Sequence, residues 1–156
     1  MSKLTGADLS RAPGAYAVLA FRGPDCAKFL QGQLSADIEK LVPGGSTLAG
    51  LHNPQGRVVA ILGLVRVLSE EILAVVPAEL AAVVTEKLRK FVFRSKVRIE
   101  DASGRYLVLG ADAEWRGVPR VTWGSRVLLL APRDVPEIAV EESGDAARIR
   151  WERADV

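Results

Sequence analysis

Apolar and polar positions divide the chain into short segments, most of which carry the two-residue period of a strand. Segment 16–21, YAVLAF, is an apolar run bounded by Pro13-Gly14 and Gly23-Pro24, and it predicts a first strand. The pattern then changes. In GPDCAKFLQGQLSAD, positions 23–37, Ala27, Leu30 and Leu34 recur at helical spacing while Cys26 and Phe29 widen the stripe. Pro24 suits a first helical turn and Asp25 complements the positive end of the helix dipole. Gly32, between Gln31 and Gln33, is the anomaly of this helix. A glycine in a helix interior costs roughly 1 kcal/mol relative to alanine. Its presence therefore predicts a close approach, either of a sheet packed on the helix or of a flat ligand.

Pro43-Gly44-Gly45 breaks the chain, and 47–51 predicts a strand that turns at Asn53-Pro54-Gln55-Gly56 into a hairpin. Segment 57–68 carries valine, isoleucine and leucine at both alternating sets of positions, as a central strand covered on both faces does. Segment 72–76 returns as a strand. Pro77 then opens a helix with Glu79 in its first turn, Leu80, Val84, Leu88, Phe91 and Val92 on one face, and basic residues at its end. From Lys96 the alternation resumes through Val97 and Ile99. This order predicts an α+β first domain over 1–102 with a split ferredoxin-like β-α-β-β-α-β layer. Residues 103–156, with strand candidates at 105–109, 126–130 and 147–151 and no clear helix, predict part of a second β-rich domain. The boundary falls at Ala102-Ser103-Gly104.

Composition narrows the functional classes. At 156 residues with 49% hydrophobic positions, the chain is long enough to bury a core. Its 21 basic and 19 acidic residues nearly cancel. No global field then points to nucleic acid or to a membrane, and direct nucleic-acid binding is not expected. Cys26 is the single cysteine, which excludes an internal disulfide and suits a reducing, cytoplasmic setting. The N-terminus has no apolar run of the signal-peptide kind, and no stretch of about eighteen uninterrupted apolar residues predicts a membrane helix.

Several chemistries have no sequence support. There is no glycine-rich loop followed by lysine and serine or threonine, and no dinucleotide fingerprint. His52 is the lone histidine, so no paired-histidine metal site exists within the chain, and it reads as structural or exposed. Cys26 reads as a small buried apolar residue, although a helix N-terminus lowers a thiol pKa where the thiol is accessible. One local charge feature stands out. Lys87, Arg89, Lys90, Arg94, Lys96 and Arg98 fall within twelve positions that contain no acidic residue. On a strand, Arg94, Lys96 and Arg98 share a face, so they form either a ladder for carboxylates or phosphates or a solvated edge guarded against mispairing. Tyr16, Trp115, Trp123 and Trp151 lie outside the strongest helices and are candidates for stacking on a flat heterocycle; for Trp115 and Trp123 a core or surface role is the expectation.

Three segments together, FRGPDCAKFLQGQLSADIEKL, NPQGRV and LRKFVFRSKVRIED, resemble the first domain of YgfZ-type folate-binding proteins, relatives of the glycine-cleavage T-protein, an aminomethyltransferase. The resemblance covers roughly 16–109 and is loose beyond. It implies a three-domain fold around a channel for tetrahydrofolate, and a role in maintaining iron–sulfur enzymes and in tRNA modification. Iron–sulfur proteins or their assembly machinery are the implied partners. It also implies folate contacts from Tyr16 and Trp151. Given that ligand, the amides of Gln31 and Gln33 are expected to meet polar edges of the pterin, and Arg94, Lys96 and Arg98 the carboxylates of a polyglutamate tail, because a single-sign ladder matches repeated negative charges. The T-protein relatives carry an aspartate pair, one of them catalytic, where this chain has Ala60 and Ile61. Aminomethyl transfer or demethylation is therefore the weaker expectation and no catalytic residue is assigned. The family's cysteine motif lies beyond residue 156, so the chain reads as a fragment or a shortened protein. Self-association, or docking of the missing C-terminal portion, is the third reading.

Overall fold

In a computed structural model of the chain, residues 4–8, 15–111, 118–124, 126–133 and 138–142 are described. They form two five-stranded sheets and two helices. In chain order these are β1 (Leu4–Asp8), β2 (Tyr16–Arg22), α1 (Cys26–Gln33), β3 (Ser46–His52), β4 (Val58–Leu68) and β5 (Glu71–Pro77). A single 3-10 turn (Ala78–Leu80) leads into α2 (Ala81–Arg89). Then follow β6 (Arg98–Asp101), β7 (Tyr106–Ala111), β8 (Arg120–Trp123), β9 (Arg126–Pro132) and β10 (Ile138–Glu142).

The first sheet has the order β3-β4-β5-β2-β6 and is antiparallel throughout. It is an α+β layer with helices on one face. It holds five strands where a split ferredoxin-like layer has four, because β4 and β5 form a hairpin that puts one more strand between β4 and β2. The second sheet has the order β10-β1-β7-β9-β8, with β1 parallel to β10 and its other pairs antiparallel. Residues 4–8, which precede the first domain's opening strand, thus pair within the second sheet.

β2 shows why its sequence is apolar without interruption. Ala17, Leu19 and Phe21 point into the core beneath the helices, with Leu30, Leu62, Leu64 and Leu88. Val18 and Ala20 point the other way, with Leu73 and Val75, against Val108, Val121, Leu128 and Leu130 of the second sheet. A strand between two cores has no solvent face to mark with polar residues.

Two of the three segments that carry the resemblance are tied to each other, and the third is closed on itself. Gly23 has φ 135, and a Cβ there would lie 2.1 Å from the Lys96 carbonyl oxygen. The Asp25 N–H donates to that carbonyl at 3.2 Å, and Asp25 Oδ2 accepts from the Lys96 N–H at 2.8 Å. The start of α1 is thereby clamped to the approach to β6. The NPQGR turn is closed by Asn53, whose Oδ1 accepts from the N–H groups of Gln55 (3.0 Å) and Arg57 (2.9 Å).

That clamp corrects the basic ladder. Arg94 lies in a turn and Lys96 in an extended link, and only Arg98 belongs to β6. Lys96 cannot join the sheet ladder because its N–H and C=O are both engaged by Asp25. The helix expected to run through Val92 stops at Arg89. The Phe91 and Val92 N–H groups bond back to Leu88 and Arg89 in tight three-residue turns. Val92 still touches the core, whereas Phe91 is 51% exposed. No described helix is long and apolar enough to cross a membrane.

Candidate functional site

Among the described residues, the face of the first sheet that meets the second sheet is covered along only part of its length. β8 closes it over β4 at Gly63, where a Cβ would lie 2.7 Å from Val121 Cγ1 and 3.1 Å from the Trp123 ring. Glycine is required there because any side chain would force the layers apart. Leu48 stands opposite Gly63 in register, and Gly50 opposite Ile61. Ile61 (39% exposed) and Leu48 (37% exposed) bound the part of the face that β8 leaves open. Tyr16 lies in the same cross-strand row. It pairs with Pro77, and continuing the Gly63–Val75 register by two residues brings Ile61 beside Pro77.

Over this row the Tyr16 and Trp123 rings meet, centroids 5.6 Å apart and planes inclined at 59°. Both are half-buried and pack on the edge of the inter-sheet core. At the β3 side, Ser35 reaches round the sheet edge. Its Oγ accepts from the Gly50 N–H at 3.1 Å, and its own N–H donates to the Gly50 carbonyl at 3.0 Å. A Cβ on Gly50 would lie 3.0 Å from both Ser35 Oγ and the His52 ring, so this glycine keeps the edge low. The exposed His52 imidazole makes no hydrogen bond among the described residues. Among the described residues the lip therefore offers two aromatic rings, two aliphatic side chains, a hydroxyl and an imidazole, and no carboxylate. Such a set can hold a flat heterocycle by stacking and apolar contact.

The sequence-predicted residues divide differently from expectation. Tyr16 is at the lip. Gln31 is engaged elsewhere: its Oε1 accepts from the N–H groups of Ile38 (2.6 Å) and Glu39 (2.9 Å), fixing the chain after α1. Gln33, the last residue of α1, is half-buried and makes no side-chain hydrogen bond among the described residues. Gly32 is exposed, and a Cβ there would meet nothing within 4 Å, so helix packing does not explain it. Trp151 and Trp115 lie outside the described residues. Arg98 pairs with Arg22, at the opposite end of β2 from Tyr16. Six residues of strand separate the two ends, about 20 Å at ~3.3 Å per residue. Of the pair Ala60 and Ile61, Ala60 is buried beneath the helices and Ile61 faces the lip.

Trp123 is the residue that sequence reasoning left aside. Its only local signal is the alternation of Val121 and Trp123 before Gly124, too short to separate a strand from a loop. Cys26 is fully buried, and burial pushes its thiol pKa up, which removes it as a nucleophile at neutral pH. Among the described residues, no three histidine, cysteine, aspartate or glutamate side chains gather as a metal site would require.

Comparisons with known proteins place the fold. No family model matches the chain. A Haemophilus influenzae protein described only as uncharacterized is 33% identical over 146 residues, which cover 90% of this chain and 50% of that one. Among solved structures, the glycine cleavage system aminomethyltransferase T from Bartonella henselae superposes with a TM-score of 0.67 at 15% identity. The match covers 89% of this chain and 48% of that protein. The two layers thus share the fold of that aminomethyltransferase T, about half of whose length the chain spans.

Proposed function

We propose that the chain is the tetrahydrofolate-binding portion of a YgfZ-type protein and that the pterin ring stacks at the lip formed by Tyr16 and Trp123. The observation that carries the reading is this aromatic pair on the open end of the inter-sheet face, in a chain that has the fold of an aminomethyltransferase T and sequence segments that resemble those of folate-binding proteins. The lip fits a flat heterocycle: rings and aliphatic side chains bound it, and Gly50 and Gly63 keep its floor shallow. Tyr16 and Trp123 would hold the ring system, His52 at the β3 side would meet its polar edges, and Gln33 and Trp151 are retained as contacts from the sequence reading alone. Gln31 positions the chain after α1. When bound, tetrahydrofolate supplies a carrier for one-carbon units.

On this reading the first layer, within 1–102, carries the Tyr16 side of the folate site, and 103–156, part of a second, β-rich unit whose sheet also takes in residues 4–8, contributes Trp123. The protein supports iron–sulfur enzymes and, through them, tRNA modification, in the cytoplasm. It acts as a binding protein, because Ile61 stands where the T-protein relatives carry an aspartate and supplies no carboxylate there. Titration of the chain with tetrahydrofolate, followed by tryptophan fluorescence, tests it. Saturable quenching is expected. It should weaken about tenfold or more in Trp123→Leu and in Tyr16→Leu, and persist in a Gln31→Glu variant that folds. Equal affinity in wild type, Tyr16→Leu and Trp123→Leu would remove the lip as the site.

A further inference from the structure

The turn between α2 and β6 carries an arrangement that neither the core nor the lip uses. Phe91 is 51% exposed and Phe93 83% exposed. Phe93 also has φ 42, a conformation that bulky residues rarely adopt. The turn is nevertheless fixed. The Ser95 N–H donates to the Val92 carbonyl at 2.7 Å, and Asp25 clamps Lys96 at both its N–H and its C=O. Two aromatic rings are thus held out from the surface on a rigid support. Lys90, Arg94, Lys96 and Arg98 stand exposed around them, and their side chains have no partner among the described residues. Nearby cations are already engaged: Arg89 bonds the Ile99 carbonyl at 3.1 Å, and Arg22 pairs with Glu71 and Glu100.

Carboxylates bound this positive area on two sides. Glu70 and Glu71 line a cleft of about 750 Å³ with Lys96 and Arg98. Glu86 and Asp101 line one of about 740 Å³ with Lys90. The free cations of 90–98 thus lie in the same short segment as the two rings, with a carboxylate-lined cleft at each of its ends.

We propose that this turn binds single-stranded nucleic acid, Phe91 and Phe93 stacking on unpaired bases while Lys90, Arg94, Lys96 and Arg98 meet phosphates of the same strand. Aromatic rings set among unpaired cations match the alternating flat and anionic groups of such a ligand. A short polycarboxylate would engage the cations and leave both rings unused. A flat anionic membrane would press Glu70, Glu86 and Asp101 against its headgroups, whereas a single strand passes between them. The near-zero net charge of the chain does not oppose this, because these cations act over a few ångströms.

Fluorescence anisotropy with labelled single-stranded RNA and DNA of mixed sequence, on the full chain, tests the proposal. Saturable binding at low salt, weakening as salt rises, is expected. Phe91→Ser/Phe93→Ser should weaken it about tenfold or more, Arg94→Glu/Lys96→Glu should abolish it, and Phe93→Trp should retain it. Phe93→Gly separates function from folding: it relieves the left-handed backbone, so it should raise the thermal midpoint while weakening binding. Absence of binding at low salt overturns the proposal. So does duplex binding as tight as single-strand binding, or a double phenylalanine variant that binds like wild type. Binding to anionic phosphatidylserine vesicles in place of nucleic acid, lost in the same variants, would reassign the turn to a membrane.

Discussion

The clamp that joins Gly23 and Asp25 to Lys96 and the lip around Tyr16, Ile61 and Trp123 lie at opposite ends of β2, and they were built by opposite means. The clamp is dense in recognisable sequence, closed, and held by a bond from the Lys96 N–H to the Asp25 carboxylate at 2.8 Å and a backbone bond at 3.2 Å. The lip has almost no sequence signature and is assembled from four strands of two sheets. The residues that make a sequence recognisable here are those whose backbone geometry tolerates no substitute. The residues that face a ligand can be exchanged among aromatic and aliphatic types while the sheet stays the same. Motif density in this chain therefore marks where the fold is locked, and the open apolar face marks where a ligand has room.

Four substitutions bear on that contrast. The largest effect is expected from Ala60→Asp, which buries an unpaired carboxylate beneath the helices and should cost about 3–5 kcal/mol in denaturant unfolding. Its neighbour Ile61→Asp, on the exposed lip, should cost under about 1 kcal/mol. Equal costs would mean that the two faces of β4 are not divided as described. Gly23→Ala comes next, at about 3 kcal/mol, because the methyl group meets the Lys96 carbonyl and the backbone sits at φ 135. Gly63→Ala should cost about 1–3 kcal/mol by pushing Val121 and Trp123 away, and it should also alter tryptophan emission. A Gly63→Ala protein with wild-type emission would show that β8 does not close on β4.

The smallest effect concerns pH. The Cys26 thiol has a folded pKa above its unfolded value because its burial opposes the thiolate. The contribution of the neutral thiol is thus fully present below the unfolded pKa, about 8.5, and is lost as pH rises through the folded value. Cys26→Ala should flatten this alkaline part of the stability profile while leaving the neutral part nearly parallel to wild type. An unchanged alkaline slope in urea midpoints would show that Cys26 does not carry it.

The local elements of the first layer were legible because each satisfies a periodic rule on its own. Segment 16–21 became β2 (Tyr16–Arg22), the hairpin around Asn53 and Gly56 formed, and the helical stripe of Leu30 and Cys26 became α1. Strands β1, β8 and β10 were not legible. LTGAD and RVTW are short and mixed in polarity, and they are strands only because β10, β7 and β9 offer them partners. The end of α2 was misplaced for a similar reason. Phe91 and Val92 keep helical spacing, but the engagement of Lys96 by Asp25, seventy-one positions away, fixes where the chain must be.

By itself the sequence determined which segments are strand or helix in the first layer, where the tight turns fall, and that Cys26 is buried. Those outcomes rest on interactions between residues near one another in the chain. Tertiary structure alone decided that Tyr16 meets Trp123, that Ile61 faces the open side while Ala60 is enclosed, that Gln31 serves the chain after α1, and that Phe93 stands out among unpaired cations. Each depends on strand register or on closure between distant segments, where a shift of one residue moves every side chain to the other face.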